Sequence, residues 1–132
     1  MRIGVIDGQG GGIGKAVVEK LLLRFPGNHE IIALGTNSQA TTAMLKAGAD
    51  KGATGESAIV YNALRVDIII GAVGIIASGS MMGELSEKIA AAVSQSDARK
   101  ILIPMDKCKI EIAGTDKSAT MQKLILEAVK RI

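Results

Sequence analysis

Glycines in the segment after the first apolar run could grip a phosphate group. Five glycines fall within residues 8–14, directly after the run from Ile3 to Ile6. Glycine adopts positive φ values at low cost and, having no Cβ, lets a ligand approach the main chain closely. A helix predicted to begin near Ile13 would point its first N–H groups and its positive dipole end at the same turn. The segment therefore predicts a phosphate-binding site, and a glycine-rich turn without a ligand is the alternative.

A second loop, residues 73–80, follows a later apolar strand and offers further polar groups. Its main-chain N–H groups and the hydroxyls of Ser78 and Ser80 could hold a ribose, a second phosphate or a carboxylate. Alternatively, Gly71 and Gly74 only allow helices to pack closely, and Ser80 only caps the helix that follows.

Three side chains near the same predicted edge could take part in catalysis: Cys108, Asp106 and Ser78. Cys108 lies between Lys107 and Lys109, and neighbouring cations lower a thiol pKa and favour the reactive thiolate. Asp106 could act as an acid or a base. The alternatives are an inert, partly buried thiol and an edge carboxylate. The spacing assembles neither an acid–base pair nor a nucleophile–base pair, so the catalytic residues stay unassigned.

Other titratable side chains have simpler interpretations. Glu84 could serve as an acid or base near the ligand, or as a first-turn helix carboxylate. His29 is the only histidine; it precedes the second strand at the opposite edge, and we expect it on the surface. No His/Cys/Asp cluster has the spacing of metal ligands, which predicts that there is no metal site.

Alternating apolar strands and amphipathic helices must position these residues. The pattern predicts strands at residues 2–6, 30–34, 49–54, 67–72, 100–104 and 110–113, and helices at residues 14–25, 38–47, 55–64, 81–94 and 117–132. Asn37 or Ser38 is expected to cap the second helix, and Ser80 the fourth. Helical crossovers force neighbouring strands to be parallel. The sixth strand follows the fifth too closely for a crossover, so it should pair antiparallel or extend the edge.

Together these elements predict an α/β fold, a doubly wound, mostly parallel sheet of five to six strands with helices on both faces. In such a sheet a ligand binds outside the carboxyl ends of the strands, where the direction of the connections reverses. That point should lie between the first and fourth strands, where the two glycine-containing loops converge.

The spacing of Gly8, Gly12 and Gly14 fits G-x-x-x-G-x-G, which resembles the nucleotide loop of the short-chain dehydrogenase/reductase family. The common fingerprint G-x-G-x-x-G would need glycine or alanine at position 13, where Ile13 stands. Residues 71–74, Gly-Ala-Val-Gly, stand in place of the Asn-Asn-Ala-Gly that ends the family's fourth strand. The resemblance covers residues 1–75 and implies a minimal Rossmann-like nucleotide-binding half.

The catalytic Tyr-x-x-x-Lys pair of that family is missing. The only tyrosine, Tyr61, precedes the fourth strand and is followed four residues later by Arg65. The resemblance thus supports binding and argues against dehydrogenase chemistry. Taken whole, the chain is also similar to members of a small bacterial protein family of unknown function, which implies no activity.

The end of the second strand would decide which nucleotide binds. An acid there bonds the ribose 2′-OH of NAD, and a nearby Arg accepts the 2′-phosphate of NADP. Residues 35–39 contain small donors and no carboxylate, which favours NADP over NAD. Another phosphate-bearing ligand could use the same glycines, and helix entry alone is the alternative role. The predicted cofactor-binding residues are Gly8, Gln9, Gly10, Gly11, Gly12, Ile13, Gly14, Thr36, Asn37, Ser38, Ala72, Val73 and Gly74.

Composition limits the class of protein. With 132 residues, 48% of them hydrophobic, the chain can bury one sizeable core, and a single nucleotide-binding domain over residues 1–132 is expected. The net charge of +3 comes from scattered basic residues, and there is one Phe and one Tyr. Nucleic-acid-binding proteins instead show a basic stripe with stacking aromatics, so no nucleic acid partner is expected.

Cysteine content and apolar run length predict the compartment. The single cysteine excludes an internal disulfide and fits a reducing environment. The longest apolar runs fall short of the ~20 residues that a spanning helix needs. We therefore expect a cytoplasmic protein that has no membrane partner.

Three classes of function fit these residues. The first, which we favour, is a small NAD(P)- or related nucleotide-binding protein acting as a sensor or as a regulatory or accessory subunit. The second is a small enzyme acting on a bound nucleotide or phosphorylated metabolite. The third is a structural, oligomer-forming protein, because the alanine- and methionine-rich residues 81–93 would suit packing against a second copy. In each case a homodimer or higher homo-oligomer is expected.

Overall fold

Apolar runs form the strands, and the amphipathic segments between them form the helices. The computed structural model describes residues 1–132. In chain order the elements are β1 (Arg2–Asp7), α1 (Gly12–Arg24), β2 (Glu30–Gly35), α2 (Ser38–Lys46), β3 (Lys51–Thr54), α3 (Glu56–Ala63), β4 (Ile68–Ala72), α4 (Glu87–Gln95), β5 (Arg99–Ile103) and α5 (Met121–Lys130). Single-turn 3₁₀ helices cover Val73–Ile76 and Asp106–Cys108. No helix has the length and apolar character needed to cross a bilayer.

The five strands form one parallel sheet in the order β3-β2-β1-β4-β5. Strand β1 is central: Ile3 is in register with Ile31 of β2 on one side and with Ile68 of β4 on the other. Every connection between paired strands contains a helix, as parallel pairing requires. The predicted doubly wound fold is confirmed, with the reversal of direction between β1 and β4.

Helices cover both faces of the sheet. On one face Ile3 and Val5 of β1 join a cluster that includes Val18 of α1, Met44 of α2 and Ile125 of α5. On the other face the cluster combines side chains of β1, β2 and β4 with those of α3 and α4, among them Ile6, Leu34, Ile69, Ile59 and Ile89. Because side chains alternate along a strand, each buried strand supplies both cores.

Close packing at Gly14 brings α1 down onto β1 and α2. A Cβ built at Gly14 would lie 2.6 Å from Met44 Sδ and 2.9 Å from Asp7 Cβ, both well inside van der Waals contact. The absence of a side chain at this position therefore sets the distance between α1 and the carboxyl end of β1.

The predicted sixth strand at residues 110–113 is wrong. This segment is irregular and belongs to the connection between β5 and α5. Lys109 turns the chain with a φ of 53°, and Ile112 is 45% exposed. With no buried face, the segment has nothing to hold it in register against the sheet.

The predicted beginnings of the last two helices are also wrong. Residues 77–86 form successive turns, and α4 begins at Glu87, capped by Ser86, whose Oγ accepts a hydrogen bond from Ile89 N at 3.3 Å. Ser80 instead donates its hydroxyl to the Gly74 carbonyl at 2.6 Å. Helix α5 begins at Met121, four residues later than predicted.

The cap of α2 is predicted correctly. Asn37 Oδ1 accepts a hydrogen bond from Ala40 N at 2.9 Å. This cap holds the chain at the end of β2, beside the glycine turn, and leaves the Asn37 amide nitrogen free to donate elsewhere.

We expect Met44→Ala to lower the free energy of unfolding by about 2–5 kcal/mol, because it leaves a cavity in the core. Met44 is completely buried, whereas Met82 is 94% exposed. The matched control Met82→Ala should therefore change the free energy by less than about 0.5 kcal/mol. Urea unfolding measures both, and equal effects would contradict this account of the core.

Candidate functional site

The glycine turn, residues 8–11, opens onto a cleft of about 740 Å³ at the carboxyl edge of the sheet. The turn follows β1, and the opposite wall comes from the loops after β4 and β5. Four of the six methionines of the chain line this cleft: Met81, Met82, Met105 and Met121. Lys107 and Cys108 complete the side opposite the glycines. The cleft therefore joins polar main chain on one side to polarizable, apolar side chains on the other.

Gly10 and Gly12 are the glycines for which the fold gives no internal reason. Of the sixteen glycines, seven have positive φ values, and seven others would place a Cβ within 3.3 Å of another atom. Gly10 and Gly12 have neither property: a Cβ at either position would meet nothing within 4 Å. Both line the cleft. Because these two residues have no side chain, their main-chain atoms are accessible from the cleft.

Main-chain donors at the turn are divided between the protein and the cleft. Gly11 is the N-cap residue of α1, with a φ of 74°, and has no side chain to cap the helix. The amide of Gly14 donates to Asp7 Oδ2 at 2.6 Å, and that of Gly8 to Asp7 Oδ1 at 2.8 Å. The N–H groups of Gly10 and Gly12 make no hydrogen bond within the protein. These two donors are available to an anion at the positive end of α1.

Asp7 is a buried carboxyl directly under the turn. Loss of solvent raises its pKa above the ordinary value of 3.8, and the nearby Glu84 charge adds to this. The hydrogen bonds from Gly14 and Gly8 act in the opposite direction and lower the pKa. Asp7 thus connects the glycine turn to the first turn of α1, and the N–H group of Gly14 is not available to a ligand.

Glu84 lies at the end of β2, a position that its place in the sequence did not reveal. Its Oε1 accepts hydrogen bonds from Gln9 N at 2.9 Å, Thr36 Oγ1 at 2.6 Å and Asn37 Nδ2 at 2.8 Å. The Thr36 bond is the largest cause of a lowered Glu84 pKa, followed by the Gln9 bond. The preference for NADP over NAD requires that no carboxylate lies at the end of β2, and Glu84 brings one there.

The methionine strap, residues 77–85, carries Glu84 to that position. Gly79, Met81, Met82 and Gly83 all have positive φ values, with 58° at Met81 and 56° at Met82. A left-handed residue with a side chain costs roughly 1–2 kcal/mol, so other contacts must hold the strap. Leu85 is fully buried at its end. The hydrogen bonds to Glu84 fasten it to the glycine turn.

Of the three candidate catalytic side chains, the structure brings only Cys108 into the cleft. A Cβ at Gly74 would lie 2.8 Å from Cys108 Sγ, so this glycine makes room for the thiol. Asp106 lies outside the cleft, and Ser78 is exposed on the strap. His29 lies at the opposite edge, packed edge-to-face on Phe25. No group of three metal-ligating His, Cys, Asp or Glu side chains is present.

The remaining predicted cofactor residues are spread over several environments. Ala72 lines the cleft, whereas Val73 and Gly74 are buried beneath it. Thr36 and Asn37 are engaged by Glu84. Ser38 lines a second depression of about 360 Å³, which shares Gly10 with the cleft. The predicted residues are therefore divided among the cleft, this depression, the buried layer beneath the cleft and the contacts of Glu84.

Comparison with known proteins identifies a family and a fold. A family model described as "Domain of unknown function (DUF3842)" matches residues 2–132. The crystal structure of a dodecameric FMN-dependent Ubix-like decarboxylase from Escherichia coli O157:H7 is similar with a TM-score of 0.51 and 20% identity, over 99% of this chain and 76% of that one. A UDP-N-acetylglucosamine 2-epimerase gives a TM-score of 0.39 and 14% identity, over 100% of this chain and 40% of that one. No curated protein matches.

The match to the decarboxylase supports a Rossmann-like parallel α/β fold, and nothing found is specific to the short-chain dehydrogenase/reductase family. The decarboxylase shares the fold at low identity. The resemblance of the glycine turn to the dehydrogenase loop is thus supported only at the level of the fold, and the match to a family of unknown function agrees with the whole-chain resemblance.

Lowering the pH from about 7 to about 4 should stabilise the wild-type protein relative to Asp7→Asn. Burial raises the pKa of Asp7 above 3.8 in the folded state, so the folded protein binds this proton at a higher pH than the unfolded chain does. Its stabilisation is fully present below pH 3.8 and is lost as the pH rises through the raised value. Urea unfolding across this range measures the difference. A difference that turns against the wild type on acidification would contradict the assignment.

Proposed function

The chain belongs to the DUF3842 family of unknown function, and we propose that it binds a phosphate-bearing mononucleotide in the methionine-lined cleft, with FMN as the first candidate. It would act as a sensor or as a regulatory or accessory subunit. The observation that carries the proposal is the pair Gly10 and Gly12, whose bare main chain faces the cleft without any internal requirement for glycine.

The phosphate end of the ligand would be held at the glycine turn. Two unpaired N–H groups, those of Gly10 and Gly12, lie at the start of α1, where the helix dipole favours an anion. Lys107 lines the opposite wall and adds a positive charge. A Cβ at position 10 or 12 would occupy the space that a phosphate oxygen needs in order to reach these donors.

The remainder of the cleft suits a planar apolar ring. Thioether side chains are polarizable and pack favourably against aromatic rings, and four of them line this cleft. Its volume of about 740 Å³ lies within the usual range for small-molecule sites. The similar decarboxylase is described as FMN-dependent, and FMN combines one phosphate with one large planar ring. NAD and NADP are the competing ligands of the same chemical class.

Binding without chemistry is the simpler function of this cleft. Its only carboxyl group is Asp7, which is committed to the amides of Gly8 and Gly14. A small enzyme is the second candidate, favoured by one observation: the Cys108 thiol faces the same cleft, beside Lys107. In that case Cys108 would react with the bound ligand.

A homo-oligomer is part of the proposal. The similar decarboxylase is dodecameric. Helix α4 buries Ile89, Ala90, Ala92 and Val93 in the core of the protein, so most of the apolar side chains of residues 81–93 are not available to a second copy, whereas Met82 is exposed. Exposed apolar side chains remain on other elements, among them Leu23, Tyr61 and Leu64.

FMN should bind the wild-type protein, and Gly12→Val should weaken this binding by at least about tenfold through a clash with the phosphate. At a free concentration of about 100 times its Kd, FMN should stabilise the wild type by about 2.7 kcal/mol. Isothermal titration and thermal shift measure both effects, with FAD, NAD, NADP, AMP and inorganic phosphate as comparison ligands.

Ser57→Val is the matched control for Gly12→Val. Ser57 is an exposed first-turn residue of α3, on the other face of the sheet, so this variant should bind FMN as the wild type does. If no ligand of the panel binds at millimolar concentration, the proposed function fails. If Gly12→Val retains full affinity, the phosphate is held elsewhere.

Alkylation of the single cysteine gives a second test. Cys108 lines the cleft, so saturating FMN should slow its reaction with iodoacetamide by about tenfold or more, because the ring covers the thiol. Mass spectrometry follows the modified fraction. An unchanged rate would place the ligand outside the cleft. For the enzyme candidate, Cys108→Ser should abolish turnover of any substrate that is found while leaving ligand affinity unchanged.

A further inference from the structure

One carboxylate oxygen fills the space between the glycine turn and the end of β2. Glu84 Oε1 accepts three hydrogen bonds from separate parts of the chain, namely from Gln9 in the turn and from Thr36 and Asn37 after β2. The three converging donors form a preformed site for one acceptor oxygen, and the protein fills this site with the Glu84 side chain.

The same space has no room to spare. A Cβ at Gly8 would lie 2.5 Å from Thr36 Oγ1, 2.8 Å from Met81 Sδ and 3.1 Å from Glu84 Oε1. The strap and the end of β2 are thus in contact across the turn. Neither Thr36, Asn37 nor Glu84 lines the cleft that holds the proposed mononucleotide.

In doubly wound sheets a dinucleotide lies across the crevice at the switch point, with one half on each side of the first strand. In this protein the β4 side is the open cleft, and the β2 side is closed where Glu84 lies. The donors that Glu84 occupies, one main-chain N–H, one hydroxyl and one amide, are of the kind that bind ribose hydroxyls or a second phosphate.

We propose that Glu84 is a specificity-determining residue: its carboxylate occupies the β2-side half of the site and restricts the ligand to mononucleotides. The identity of the ligand rests on the proposed function, but the closure of the β2 side does not. A second phosphate reaching this side would have to displace a hydrogen-bonded carboxylate of like charge, so dinucleotides are rejected both by occupancy and by repulsion.

Removing the side chain should open the closed half. We expect Glu84→Ala to bind NAD and NADP at least about tenfold more tightly than the wild type does. Glu84→Gln should stay closed, because the amide oxygen can accept the same three hydrogen bonds. Glu87→Ala, an exposed α4 residue close in sequence, is the control and should behave as the wild type. Isothermal titration of the full chain with each nucleotide measures all four proteins.

Each outcome decides the inference separately from the proposed function. If Glu84→Ala gains no dinucleotide affinity, or if Glu84→Gln gains as much as Glu84→Ala, occupancy by Glu84 is not the cause and the inference fails. If the wild type does not bind FMN but Glu84→Ala gains NAD or NADP binding, the proposed mononucleotide is wrong and the closure stands. Circular dichroism checks folding, and Glu84→Ser, whose hydroxyl and water can satisfy the freed donors, replaces the alanine variant if that one unfolds.

Discussion

The site depends on how the chain passes from β1 into α1. Four residues lie between Asp7 and the start of α1 at Gly12. The turn is held because the buried Asp7 carboxyl accepts hydrogen bonds from Gly8 in the turn and from Gly14 in the first turn of α1. This bond pattern fixes which amides are used internally. The amides of Gly10 and Gly12 make no hydrogen bond within the protein, and both residues line the cleft.

The pKa values of the two carboxyl groups beside the turn, Asp7 and Glu84, shift in opposite directions. Burial raises the pKa of Asp7, whereas three converging donors lower that of Glu84. Asp7 holds the turn from below. Glu84 joins the methionine strap to the glycine turn through Gln9, and it occupies the space on the β2 side through its hydrogen bonds to Thr36 and Asn37. The space that stays open lies toward β4 and β5, where thioethers and one thiol form the walls. The ligand that we propose for this cleft accordingly carries one anionic group and one planar apolar group.

The fold does not assign the activity, because parallel α/β sheets support many chemistries. The FMN-dependent decarboxylase shares the architecture at 20% identity, which shows the fold alone. The pair Gly10 and Gly12 is a stronger indication, since it is a property of this chain. Glycine loses more conformational entropy on folding than other residues do, so it is unfavourable where the conformation does not require it. At positions 10 and 12 the open space in front of the main chain is the remaining physical reason for glycine.

The sequence by itself determined the order of the strands and helices, the parallel sheet, the switch point beside β1 and the glycine turn, because these follow from local periodicity and from the length of the crossovers. Tertiary structure decided the rest. A sixth strand at residues 110–113 looked plausible locally but has no buried face. The sequence predicts a helix from residue 81, yet residues 77–86 form turns held by Glu84 and Leu85. Glu84 is 48 residues away from Thr36 in sequence, so no spacing rule could place its carboxylate at the end of β2; only the packing of the strap against the glycine turn brings these groups together.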